Sequence, residues 1–155
     1  MLGRTEKYCS AAAPDLESKK AAFFSIFEES DDLSLCHVQE LCRGYRQYSQ
    51  REMLQTLSDE FFNRIEDCVN KKAHSITQYI YMFLAPTMIA NDEELARLNA
   101  LKTKLEAYSP EEKQEGTGRL LNWVKDSIQE IEQKKFGREL SRTWEAQQNA
   151  PVANL

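Results

Sequence analysis

Apolar side chains return at every third or fourth residue through most of this chain. The clearest run is Met53, Leu54, Leu57, Phe61, Ile65 and Cys68. That spacing puts them on one face of an α-helix, whereas a half-buried strand would alternate at every second residue. Similar stripes occur at Ala22, Phe23, Ile26 and Phe27, at Leu35, Val38, Leu41 and Cys42, at Ile76, Tyr79, Ile80, Phe83 and Leu84, at Leu95, Leu98, Leu101 and Leu105, and at Leu121, Val124, Ile128 and Ile131. A chain patterned this way must hide several helical stripes against one another. Only five glycines and four prolines stand among its 155 residues, against an average share of about 12%, so turn formers for a strand-rich fold are scarce.

Helix-start and helix-stop chemistry divides the stripes. Asp15 is placed to cap a helix over about 16–30, its side-chain oxygen accepting from a free N–H of the first turn. Ser30-Asp31-Asp32 marks a stop and a new start, with a helix over about 33–43 and Gly44 just beyond it as a C′ residue. Ser49 with Glu52 reads as a capping box opening a helix over about 49–70. A fourth helix covers about 73–84 and ends at Pro86. Asn91 or Asp92 caps a fifth, over about 92–108. Ser109-Pro110-Glu111-Glu112 is a start signal for a sixth, over 110–136 and onward to about 147.

The reading is therefore all-α: three antiparallel helix pairs, 16–30 with 33–43, 49–70 with 73–84, and 92–108 with 110–136. Pairs of this length stack into a right-handed HEAT or armadillo-like solenoid; a six-helix bundle is the alternative packing. Residues 1–14 are expected to be a flexible lead-in, 15–147 a single helical domain, and 148–155 a disordered tail. The stripes predict a core of Phe23, Phe27, Leu57, Phe61, Ile65, Ile76, Ile80, Phe83, Val124 and Ile128.

Acids exceed bases, for a formal net charge of −5, so the global basic footprint of a nucleic-acid binder is absent. No apolar run approaches the ~20 residues of a membrane span. Nucleic acid and membrane are thus not expected as partners. Met1-Leu2-Gly3-Arg4 is not followed by an apolar stretch, and no Asn-x-Ser/Thr acceptor occurs, which together lean toward a cytoplasmic location.

Catalytic patterns are missing. His37 and His74 are the only histidines, and neither belongs to a His-Glu-x-x-His motif. Gly-x-Ser-x-Gly, phosphate-binding glycine loops and EF-hand spacing are missing too. Cys9, Cys36, Cys42 and Cys68 form no Cys-x-x-Cys pair. Cys36, Cys42 and Cys68 lie in apolar helical patterns and read as buried thiols acting as small hydrophobes. The acidic pairs Glu28-Glu29, Asp31-Asp32, Glu93-Glu94 and Glu111-Glu112 fall at helix ends or on polar faces, where solvation and the helix dipole account for them. Lys134-Lys135-Phe136-Gly137-Arg138, with Arg142 a turn later, is the largest basic cluster. No residue is assigned as catalytic, cofactor-binding or metal-ligating.

Several segments in order resemble one family. Ala13-Pro14-Asp15 leading to Lys19-Lys20-Ala21-Ala22-Phe23, Gln50-Arg51-Glu52-Met53-Leu54 leading to Glu60-Phe61-Phe62, and Ala73-His74-Ser75-Ile76-Thr77-Gln78 leading to Leu84-Ala85-Pro86 are similar to successive helices of the C-terminal domain of aminopeptidase N family zinc peptidases. Arg119-Leu120-Leu121 and the basic stretch near Arg138 fit that family's last helix loosely. Phe23 stands where the family often has Trp, and Ala85-Pro86 where it has Tyr-Pro. The resemblance covers about residues 11–140. It implies the end of a larger helical, bowl-shaped domain that closes over a separate catalytic domain, which carries the zinc. The implied partners are that catalytic domain and peptide substrates. The implied parent removes N-terminal amino acids from peptides, while this chain is expected to be inactive alone. A free-standing helical-repeat module that binds a protein partner is the alternative.

Overall fold

The structure is a computed structural model that describes residues 2–29 and 33–148. Among these residues every regular element is helical: α1 (Leu2–Ala12), α2 (Leu16–Glu28), α3 (Leu35–Tyr45), a 3₁₀ turn (Tyr48–Gln50) leading into the short α4 (Arg51–Gln55), α5 (Ser58–Lys71), α6 (His74–Leu84), α7 (Asp92–Ala107) and α8 (Glu115–Gln148).

Two of the expected caps form. Asp15 accepts from the Ser18 N–H at 2.8 Å, and Asn91 accepts from the Glu94 N–H at 2.9 Å. The Ser18 bond also holds the Asp15 carboxyl below its usual range. The other signals are resolved differently. Ser49 lies inside the 3₁₀ turn, and Gln47, which caps that turn, makes no side-chain cap bond. The long helix expected over 49–70 breaks at Thr56 and Leu57. Their N–H groups donate three residues back, to Met53 and Leu54, and the Thr56 hydroxyl adds a 2.7 Å bond to the Met53 carbonyl. That hydroxyl competes with the backbone for an acceptor, which tightens the turn, and α5 begins at Ser58. Ser109-Pro110-Glu111-Glu112 closes a turn instead of a helix: Glu112 accepts the Ser109 N–H at 2.9 Å, and α8 begins at Glu115. The cap expected at Asp31 or Asp32 lies outside the described residues, and α3 starts after Ser34.

The segment expected to be a flexible lead-in is instead largely helical, as α1. It lacks a stripe of large apolar residues because it packs through small ones. Gly44, expected beyond the end of α3, lies inside that helix, and no glycine has positive φ. A β-carbon at Gly44 would stand 2.4 Å from the Tyr8 carbonyl oxygen and 2.9 Å from the Ala11 β-carbon. The glycine is there because the two helix backbones meet.

Lys19 locks this corner. Its side chain is fully buried and its ammonium donates to the carbonyls of Ala11 at 2.6 Å and of Gly44 and Tyr45 at 3.1 Å each. These carbonyls lie in the last turns of α1 and α3, the negative ends of both helix dipoles. Burial pulls the Lys19 pKa down to about 8, opposed by the Asp15 carboxylate, so the group is charged at neutral pH.

The start of α2 thus meets the end of α3, and these two helices run antiparallel. Asp92 at the start of α7 pairs with Lys135, and Glu106 at its end pairs with Lys125, so α7 and α8 are antiparallel as well. Phe61, early in α5, meets Tyr81, late in α6, with ring centroids 5.8 Å apart. Phe23, Phe27, Leu57, Phe61, Ile65, Ile80 and Val124 are buried as expected, while Ile76, Phe83 and Ile128 pack against the core from half-exposed positions. Cys42 and Cys68 are buried, Cys36 is half-buried and Cys9 is exposed. Burial, with Cys68 beside it, pushes the Cys42 thiol up to about 12, which leaves it unreactive at neutral pH. No helix among the described residues is long and apolar enough to cross a membrane.

Candidate functional site

The last helix sets up a wide cleft. Thr117, Leu120, Val124, Ser127 and Ile131 are buried along α8, at the three- and four-residue spacing of one face. Continued by the same rule, that face reaches Lys134, Arg138, Ser141 and Arg142. All four line a cleft of about 970 Å³, together with Arg46, Tyr48, Arg51 and Glu52 from the end of α3 and the start of α4, and Met88 to Ala90 from the loop before α7.

Three of the cations are positioned by backbone. Arg46 donates to the Met82 carbonyl at 2.9 Å and to the Thr87 hydroxyl at 3.2 Å, which ties α3 to the end of α6. Lys134 donates to the Thr87 carbonyl at 3.3 Å and pairs with Glu130. Arg138 donates to the carbonyls of Ile89, at 3.2 Å, and Ala90. Ala90 has φ 53, a left-handed backbone that a β-carbon disfavours. Its carbonyl is held by the guanidinium, so the α8 cations and the loop fix each other.

Carbonyl acceptors orient an arginine without cancelling its charge. The Arg51 guanidinium lies over the Tyr48 ring, 4.7 Å from its centroid, and 3.8 Å from Glu52. Arg142 makes no hydrogen bond or ion pair among the described residues. Five basic side chains therefore face one carboxylate in the cleft lining, within a chain of net charge −5. A concave surface in which cations outnumber carboxylates concentrates the field, and free guanidinium N–H groups suit a carboxylate bidentately. The arrangement is equipped to hold an anionic group.

The basic cluster Lys134–Arg138 with Arg142 was legible in sequence, and the structure brings it to this cleft. Arg46 and Arg51 were not singled out as site residues, because the fold alone joins them to α8. The only forward signal was the run of basic residues at helical spacing in the same register as the α8 core face. The two histidines stay apart: His37 bonds Ser34 at 3.1 Å, and His74, exposed at the start of α6, stacks on Trp123 with planes 9° apart. Among the described residues no group of three or more His, Cys, Asp or Glu side chains is placed to hold a metal ion.

No protein-family model matches the sequence. A 98-residue stretch, 63% of the chain, is 26% identical to aminopeptidase N of Streptomyces lividans. The match spans 11% of that relative's length, so the chain corresponds to a small part of it. The likeness is that of a distant relative.

Proposed function

We propose that this chain is a noncatalytic helical domain of a zinc-dependent aminopeptidase, one that removes N-terminal amino acids from peptides. The alignment with aminopeptidase N carries this reading. In it, the helix pairs stack as a right-handed HEAT-like solenoid that walls the catalytic cavity, and the enzyme works in the cytoplasm. The partners are the parent's catalytic domain and its peptides. The basic cleft supports the peptide part: a peptide held by its N-terminus at a distant metal presents a carboxylate at its other end, and Arg51, Arg138 and Arg142 offer it N–H donors. Holding the far end lowers the entropic cost of reaching the reactive pose.

The test uses the complete reading frame that contains this chain. The reading expects a Gly-x-Met-Glu-Asn and a His-Glu-x-x-His motif in it, and zinc-dependent release of N-terminal amino acids by its product. An Arg138→Gln/Arg142→Gln double variant should raise KM for peptide acids while leaving KM for short aminoacyl amides in place. A frame without those motifs would overturn the reading, and so would equal effects on both substrate types. An outward stripe of exposed Phe136, Leu140 and Trp144 on α8 favours the second reading, a protein-binding helical-repeat module. That reading expects neither motif.

A further inference from the structure

Beside the basic cleft lies a smaller pocket with the opposite charge at its end. Arg51, Met88 and Ile89 line both, so they form the shared wall. Tyr45, Leu54, Phe83 and Pro86 contribute to an apolar lining, and Glu94 is the one carboxylate in it. Glu94 is 1% exposed. Its Oε1 accepts from the Ser58 hydroxyl at 2.7 Å and lies 4.0 Å from Arg97, which pairs more closely with Asp59 and Glu93. Among the described residues its buried Oε2 has no hydrogen-bond partner at ordinary distance and angle, while the Gln55 side chain lies close enough to act on this carboxyl as a weak donor, opposing the effect of burial on its pKa. An unpaired buried carboxylate oxygen is costly to keep and is the strongest acceptor the pocket has.

Pocket size narrows the choice of donor. The free volume, about 20 Å³, is that of a slot with room for one or two waters. An ammonium head is the size of a water and its methylene stem is slender. A guanidinium is a wide planar fork, and an aromatic ring is larger still. Arg51 at the shared wall opposes a cation there, but it stands beside Glu52 and over Tyr48.

We propose that the Glu94 pocket takes a primary alkylammonium group, the lysine side chain of a peptide whose carboxylate lies in the basic cleft. The lysine stem would run along Met88 and Ile89 and its ammonium would donate to Glu94 Oε2. The ammonium assignment stands on the pocket alone, whereas the peptide part rests on the proposed function.

The probe for the pocket is n-butylammonium, titrated at neutral pH into the purified full chain and followed by NMR shifts of the Leu54, Met88 and Ile89 methyl groups. Saturable shifts are expected, with n-pentanol, uncharged and of similar length, at least tenfold weaker. Glu94→Gln should remove that preference. Equal response to the two probes, or none to either, overturns the assignment, and this wild-type comparison decides the matter even where E94Q fails to fold. Peptide acids ending in lysine, arginine or norleucine are then compared. Lysine is expected to bind at least tenfold tighter than the other two. Equal binding of all three acids, with their amides weaker, overturns the lysine site and supports the carboxylate cleft. Binding of n-butylammonium without binding of any peptide supports the ammonium pocket and overturns the peptide reading.

Discussion

The two halves of α8 share one helix and one register but not one chemistry. From Glu115 to Ile131 the inward face carries Leu120, Val124 and Ile131, all fully buried. Beyond Ile131 the same face carries Lys134, Arg138 and Arg142; the first two fasten the loop before α7, and all three line the cleft. The opposite face of the second half exposes Phe136, Leu140 and Trp144, with the two rings 62% exposed. Helical periodicity is a statement about geometry only. It fixes which residues share a face, and the residue types decide whether that face becomes core or site.

Several substitutions can break this comparison. The largest contrast is Leu120→Ala against Leu140→Ala. The first removes a fully buried side chain and should cost about 2–5 kcal/mol, while the second should stay within about 0.5 kcal/mol. Urea denaturation of both variants measures the difference. Two of the three glycines of the helix, Gly116 and Gly137, come next and should differ in sign. A β-carbon at Gly116 would meet the Val69 carbonyl oxygen at 2.3 Å, whereas one at Gly137 meets nothing within 4 Å. Gly116→Ala should therefore cost about 1–3 kcal/mol through overpacking. Gly137→Ala should gain up to about 1 kcal/mol from helix propensity, read as a higher Tm.

Arg138→Gln sharpens the picture of the second half. It removes the donors to Ile89 and Ala90 and should cost about 1 kcal/mol. Faster amide hydrogen exchange is expected in the loop before α7, but not in α5. The smallest effect is a pH dependence. Burial raises the Glu94 pKa above its ordinary 4.5, with Ser58 and Arg97 opposing. The folded state then binds this proton more tightly than the unfolded chain. The associated stability is fully present below about 4.5 and is lost as pH rises through the raised value. Glu94→Gln should flatten that part of the profile and leave the chain as stable as the wild type, or more so, at pH 7. Denaturation midpoints across pH 5–8 report it.

Much of the fold was legible because helices announce themselves through local chemistry. Asp15 and Asn91 cap as their sequence positions suggest, and the stripes name most of the core. What escaped depends on contacts between distant segments. The packing of α1 rests on Gly44 and Ala11, small residues that leave no amphipathic signature. Nothing in the sequence marks Lys19 as buried; α1 and α3 bring three carbonyls around it. The site was half legible: the α8 cations follow from periodicity, while Arg46, Arg51 and Glu94 enter only through tertiary packing.

The central claim is that the cleft between α8 and the loop before α7 holds the carboxylate end of a peptide. Isothermal titration of the purified chain with an acetylated tripeptide acid and with its C-terminal amide tests it most directly. The acid should bind at least tenfold tighter than the amide, a gap of about 1.4 kcal/mol. Arg142→Gln should close most of that gap while the fold stays intact. Equal affinity for acid and amide, or a preference that survives the loss of Arg142 and Arg138 together, would contradict the account.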